Sequence, residues 1–412
     1  MKCAPASRMA FLCNDGRPSL REHGRHGRAT HRATHCACKP QSFRSFQAVV
    51  AVLACASSLA AQDGDAAGAV SQARLHEQQQ QAFRAALRAV QPSIVRIDTI
   101  GGVQPEQPAP TGGGRPGTGF RQADGPTTGL IWSADGYVIT SSFNFIRDPS
   151  IITVTLHDRR RFVARLIARD RPARLALLKI EAADLPVPSV LGRDQVRPGQ
   201  WALAAGCGHG SDSPAVSVGT VSAVDRMSGL AVQTDAKVSP ANYGGPLFDL
   251  AGRVMGVCVP MGPGEDEIAD AQWYDSGIGF AIDAELIASR MARLKRGREL
   301  KRGLMGVSFD TRAAVVGLTP EDPADQVPTD GLRIDAEPRG PAADAGLRES
   351  DVITRLDGVP VPRLADLRRV LGRKVAGDPL AVTYRRGESV RMVTLTLVSA
   401  EAFLQPTATQ PK

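Results

Sequence analysis

Histidine, cysteine and aromatic side chains are scarce in this 412-residue chain: seven His, seven Cys and 5% aromatics. Five of the cysteines (Cys3, Cys13, Cys36, Cys38, Cys55) and four of the histidines fall before residue 62. The larger part of the chain is thereby left with His76, His157 and His209 and with two thiols, Cys207 and Cys258. Those two could pair or stay free, and spacing does not decide; both adjoin apolar, strand-like runs, which favours buried thiols. No run reaches membrane-spanning length. The one apolar stretch near the N-terminus, around Ala48–Ala56, has about a dozen such residues, short of the ~20 that a span needs. Excess charge is also missing where it would matter. The formal net charge is +8, but residues 1–61 hold nine basic side chains against two acidic ones, which leaves +1 for the rest. A near-neutral body offers no footprint for a phosphate backbone, so nucleic acid is excluded as a partner.

What is there begins with an address. A basic stretch, the apolar run and small residues around Ser58-Leu59-Ala60-Ala61 follow the order of an export signal, with cleavage near Ala60 or Ala61. The expected location is exported, periplasmic or envelope-associated; an organelle lumen or a lipid anchor at the box Val52–Cys55 are the alternatives. The cluster His31, His35, Cys36 and Cys38 lies in an Arg-Ala-Thr-His repeat of this leader and is not read as a metal site. The expected division is leader 1–61, linker and N-terminal helix 62–91, a double β-barrel over 92–295, a smaller domain over 303–398 and a polar, frayed tail over 399–412.

In the linker, Phe83, Ala86, Leu87 and Val90 form one apolar stripe at helical spacing that stops at Pro92. Residues 101–126 are rich in Gly and Pro and read as a long loop. From Gly129 to Ile282 short β-branched runs alternate with turn signals. Leu130–Trp132, the turn Ala134-Asp135-Gly136 and Tyr137–Thr140 predict a hairpin, and eight further runs predict a barrel or sandwich. Ala284–Leu294 predicts a helix. Beyond Gly303 a separate core pattern holds the turn Asp357-Gly358, a helix over Ala365–Leu371 and strands Leu380–Tyr384 and Arg391–Leu397. Residues 309–330 form an insertion with no legible role.

Seven strings in this order resemble the HtrA/Deg serine proteases: Ser133–Thr140, Leu175–Ile180, Gln233–Ala236, Gly244–Leu247, Gly277–Ile282, Lys301–Val307 and Gly340–Gly346. The resemblance implies a mainly β protein, a trypsin-like double β-barrel followed by one PDZ domain. It also implies peptide cleavage by a Ser/His/Asp triad. Each triad slot adjoins one of the strings, and each is substituted. The His slot after Thr140-Ser141-Ser142 holds Phe143, the Asp slot before Leu175 holds Arg174, and the Ser slot before Gly244 holds Tyr243. Ala241 stands where the family places an oxyanion-hole Gly. Phe143 accepts no proton, Arg174 has the wrong sign, and Tyr243 offers a phenol where a small hydroxyl is needed. Losing a triad costs on the order of 10⁶ in turnover, about 8 kcal/mol of barrier.

The expectation is therefore a pseudoprotease, with an active endopeptidase using a non-standard catalytic set as the alternative. His209 with Ser211 and Ser213 is the best rescue set, though a polar loop is the simpler reading. Phe143, Arg174 and Tyr243 either plug the cleft, with Arg174 held against the two rings, or have drifted independently. In the PDZ domain, Leu304, Met305, Gly306 and Val307 match the loop that holds a peptide carboxylate, so these four are the expected peptide-binding residues. No cofactor and no metal is implied. Partners implied by the resemblance are polypeptide segments or C-termini, active HtrA-family proteases, and further copies of the same chain.

Overall fold

The computed structural model describes residues 72–100, 126–145, 148–208, 213–260, 277–309 and 331–404. The leader, the loop 101–125, the His209–Ser211 set and most of the 309–330 insertion lie outside them. Residues 72–404 belong to one compact unit.

Helix α1 spans 72–90 and ends where Pro92 removes a backbone donor. Its apolar stripe packs inward: Ala86 and Val90 are buried, and the Phe83 ring meets Trp201 edge-on at 5.4 Å. Strands β1 (Ile94–Ile100), β2 (Thr127–Ser133), β3 (Tyr137–Ser141), β4 (Ile151–Thr155), β5 (Arg161–Asp170) and β6 (Leu175–Ile180) close a barrel in the order β1-β2-β3-β6-β5-β4. Strands β7 (Trp201–Gly206), β8 (Ala215–Asp225), β9 (Ala231–Thr234), β10 (Pro246–Phe248), β11 (Val254–Val259) and β12 (Gly279–Asp283) close a second, in the order β10-β11-β12-β9-β8-β7. The expected hairpin is β2–β3, where the Gly136 N–H donates to the Ser133 carbonyl across the turn at 3.1 Å.

Strands such as Leu175–Ile180 are apolar on both faces because both faces are covered. Val95, Ile131, Val138 and Leu178 fill the first barrel. Their neighbours Ile94, Leu130, Ile139 and Leu177 point the other way and share a core with Leu203, Phe248 and Val257 of the second. Helix α2 (Ala284–Lys295) closes that shared core with Leu286, Ile287, Met291 and Leu294; its N-cap Asp283 accepts from the Glu285 and Leu286 amides.

The C-terminal domain carries β13 (Leu332–Arg333), α3 (Pro341–Asp344), β14 (Val352–Leu356), β15 (Val359–Pro360), α4 (Leu364–Gly372), β16 (Pro379–Arg386), β17 (Ser389–Thr396) and α5 (Ala400–Leu404). Its sheet runs β13-β14-β16-β17 with β15 beside β14, over a core of its own that includes Met305, Ile353, Leu367, Val382 and Leu395. Residues 400–404 are not frayed, as their polarity suggested. They form α5, tied back by an ion pair between Lys301 and Glu401 at 2.6 Å. Residues 405–412 lie outside the described set.

Candidate functional site

Phe143 sits in the single helical turn Ser142–Phe145 that follows β3. The turn is anchored by its start. The Ser142 N–H donates to the Arg174 carbonyl at 2.8 Å, and the Phe143 N–H donates to the Ser141 hydroxyl at 3.3 Å. Arg174, in left-handed backbone at φ 53, thus has its main chain directly beside the Phe143 turn. Tyr243 arrives from the second barrel on the turn Ser239–Gly244. Gly244 at φ 89 leaves no room for a side chain: a Cβ there would come within 2.2 Å of both the Thr128 carbonyl and the Thr140 hydroxyl. Asn144 bridges the two barrels, its amide donating to the Thr140 hydroxyl at 3.0 Å and to the Tyr243 carbonyl at 3.5 Å.

The rings of Phe143 and Tyr243 meet edge to face, centroids 5.6 Å apart and planes at 81°. Both are buried, at 4% and 2% exposure, so the space between them is closed to water. Arg174 is half-buried and lines a cavity that also touches Met227, Lys301 and Arg302. The structure therefore brings two of the three slot residues into ring contact, with the third beside them through its backbone.

The turn that carries Tyr243 is folded in on itself. The Asn242 and Tyr243 amides both donate to the Ser239 carbonyl, at 3.0 and 3.2 Å. An oxyanion hole needs such amides aimed at the substrate oxygen; the amide of Tyr243, at the expected nucleophile position, is already engaged with the Ser239 carbonyl. Ala241 presses against Gly208, where an added Cβ would lie 2.2 Å from the Ala241 methyl. Its carbonyl accepts from Thr128 at 2.8 Å, and the same hydroxyl accepts the Cys207 amide at 2.8 Å.

The other candidates scatter. His76 and His157 are exposed, on α1 and in the β4–β5 turn, and Ser141 is buried under the Phe143 turn. His209 and Ser211 lie outside the described residues. Cys207 and Cys258 are both free and buried, and burial pushes their thiols up to about 11 and about 12. Among the described residues no group of three His, Cys, Asp or Glu is arranged to hold a metal ion.

In the C-terminal domain, Leu304 pairs with Val398 as a two-way antiparallel bridge, and Met305 is buried in the core with its carbonyl accepting from Ala342. Gly306 is held at φ 86, where a Cβ would strike the Arg339 carbonyl at 2.0 Å. The Phe403 ring of α5 lies 2.9 Å from that same point, so α5 packs against the loop. The polar composition of the tail hid this contact, and a lone Phe is too weak a signal to find it. Val307 is half-buried beside them.

Two β-barrels packed together, followed by a small sheet-and-helix module that opens on the glycine-containing loop Leu304–Val307, define a trypsin-like peptidase fold joined to a PDZ domain. The sequence matches the trypsin-like peptidase domain over residues 127–257 and the PDZ domain over 303–397. It is 34% identical over 286 residues to a Pseudomonas fluorescens protein named "Probable periplasmic serine endoprotease DegP-like", covering 67% of this chain and 57% of that one. It is 31% identical over 340 residues to HhoB of Synechocystis sp., covering 75% and 77%. Among solved structures it is similar to the HtrA-type protease AlgW with tripeptide, at TM-score 0.57 and 25% identity, covering 77% of this chain and 96% of that one. A serine endoprotease from Yersinia pestis matches at TM-score 0.51 and 25% identity, covering 77% and 97%. The chain belongs to the HtrA family. It spans little more than half the length of the DegP-like relatives it matches.

Proposed function

We propose that this chain is a catalytically silent HtrA-family protein, exported to the periplasm, that binds polypeptide through its PDZ groove and does not cut it. The observation that carries this reading is the edge-to-face contact of Phe143 with Tyr243, which fills the space where a base and a nucleophile would have to face each other. The inward-turned Tyr243 amide supports it, because it leaves the residual catalysis of a triad-less site without its donor. Export is supported by the leader and by the periplasmic relatives. Peptide binding is supported by the Leu304–Val307 loop and by AlgW, whose structure holds a tripeptide. Regulatory partnership with active family members is compatible with the same groove.

A second reading is favoured by the names of the relatives, which are serine endoproteases: a working protease with a non-standard catalytic set. A fluorophosphonate probe separates the two. The silent chain takes up no label at any serine, and a stoichiometric phosphonylated serine would establish the protease.

A further inference from the structure

The second barrel and helix α4 of the PDZ domain face each other across a cleft of about 660 Å³. Arg226 and Met227 enter it from the turn between β8 and β9, Ile278 and Phe280 from the start of β12, and Arg368 and Arg369 from α4. No residue of the loop Leu304–Val307 lines it. The cleft's volume lies within the range of ligand sites, and an apolar surface with a few charged groups is what such sites present.

Both walls are fixed. Asp225, Met227 and Ser228 hold left-handed backbone at φ 59, 52 and 56, which residues other than glycine keep only where their surroundings impose it. Helix α4 packs directly on this turn. A Cβ at Gly372 would lie 2.0 Å from the Ser228 carbonyl, and one at Gly229 would lie 2.8 Å from the Arg369 carbonyl. The Arg373 guanidinium donates to the Gly229 carbonyl at 2.9 Å. Arg290 of α2 completes the joint: it is buried and donates to both oxygens of the buried Asp170 at 3.1 and 2.9 Å. Its other nitrogen donates to the Gly372 and Arg373 carbonyls at 3.4 and 3.0 Å, fastening the C-terminus of α4 to the barrels. A preformed cleft binds without the entropic cost of ordering its walls.

Charge selects the ligand. The acidic side chains of the cleft are already paired: Asp366 with Arg363 at 2.9 Å and Arg369 at 3.5 Å, and Asp225 with Arg193 and, at 3.8 Å, Arg369. Arg226 and Arg368 are exposed, and neither guanidinium has an ion-pair or hydrogen-bond partner among the described residues. One unpaired guanidinium therefore stands on each wall, beside the apolar surface of Met227 and Phe280. We propose that this cleft binds an acidic internal segment of a polypeptide, with one carboxylate side chain on Arg226, another on Arg368, and an aliphatic residue between them lying on Met227 and Phe280. The choice of a polypeptide rests on the reading of this chain as a polypeptide binder; the site stands whether or not the barrels cleave.

The test is calorimetric titration of the full chain with the blocked tripeptide N-acetyl-Glu-Leu-Glu-amide, which has no terminal carboxylate to offer the PDZ loop. The tripeptide binds, and its neutral counterpart N-acetyl-Gln-Leu-Gln-amide binds at least about tenfold more weakly, the loss expected for one charge-assisted contact. Glutarate, with two carboxylates and no aliphatic side chain, also binds at least about tenfold more weakly. Arg226→Gln and Arg368→Gln each weaken the tripeptide by about tenfold with the melting curve unchanged, since both side chains are exposed. A decapeptide ending in leucine, titrated separately, reports on the PDZ groove: tripeptide binding where the decapeptide fails supports this site and sinks the groove, and the reverse overturns this site alone. Absent binding of the tripeptide, equal binding of its neutral counterpart or of glutarate, or full affinity in both arginine variants would each overturn the proposal.

Discussion

Phe143 and Tyr243 are both buried, and their rings pack edge to face as a core contact. Removing one ring leaves a void that its neighbours, fixed by Asn144 and the Gly244 turn, cannot close. Phe143→Ala is expected to cost about 3–5 kcal/mol of stability, read from urea unfolding. A loss under about 1 kcal/mol would mean the rings are not packed as described. The thiols behave likewise as core atoms. Because burial raises Cys207 to about 11 and Cys258 to about 12, both stay protonated well above neutral pH and ionise only as pH rises through those values. Iodoacetamide at pH 8 is expected to leave both unmodified in the folded chain and to alkylate both in guanidinium, as read from the masses of their peptides. The three slots could be assigned as an expectation because each adjoins a recognisable string. The inward turn of the Tyr243 amide was not legible, since it depends on backbone angles at Ser239–Asn242 that no residue type there dictates.

Elements with a clear apolar pattern announced themselves: the strand Leu175–Ile180, buried on both faces, and the helix Ala284–Lys295, buried along one stripe, lie where their patterns put them. Strand β1 falls inside the expected barrel range but was not singled out, because its short run Ile94-Val95-Arg96-Ile97 is squeezed between Pro92 and the Gly- and Pro-rich loop. Strand β10 is only three residues long. The clamp between modules left no trace in the sequence either, because Asp170 and Arg290 are 120 positions apart. Its energetic consequence is large. Each partner is almost fully buried, so removing Asp170 leaves the Arg290 charge without its counter-ion. Asp170→Ala is expected to destabilise the fold by about 3–5 kcal/mol. Amide exchange should also rise at the C-terminus of α4, where the Arg290 side chain holds two carbonyls. Unchanged exchange there would show that the PDZ domain is held by other contacts. At the loop Leu304–Val307, proposed to hold a peptide carboxylate, Gly306→Ala is expected to abolish binding of C-terminal peptides, because both φ 86 and the Arg339 carbonyl exclude a methyl group. Titration with a C-terminal decapeptide measures it, and retained affinity would move the groove elsewhere.

At the scale of the whole molecule, a trypsin-like double barrel and a PDZ domain share one compact unit, with the Phe143 and Tyr243 rings in contact between the barrels and the junction with the PDZ domain pinned by a buried ion pair. Order of motifs along the chain made this architecture legible. What composition could not convey is how the parts are joined, since the junction is built from single residues of distant segments. The central claim is silence of the barrels, and it is tested most directly by incubating the chain with casein at equimolar concentration and reading the products by mass spectrometry. The chain is expected to release no peptides, while the fourfold variant Phe143→His, Arg174→Asp, Tyr243→Ser, Ala241→Gly releases some and each single change none. Casein fragments produced by the unaltered chain, absent from a mock preparation, would contradict the account.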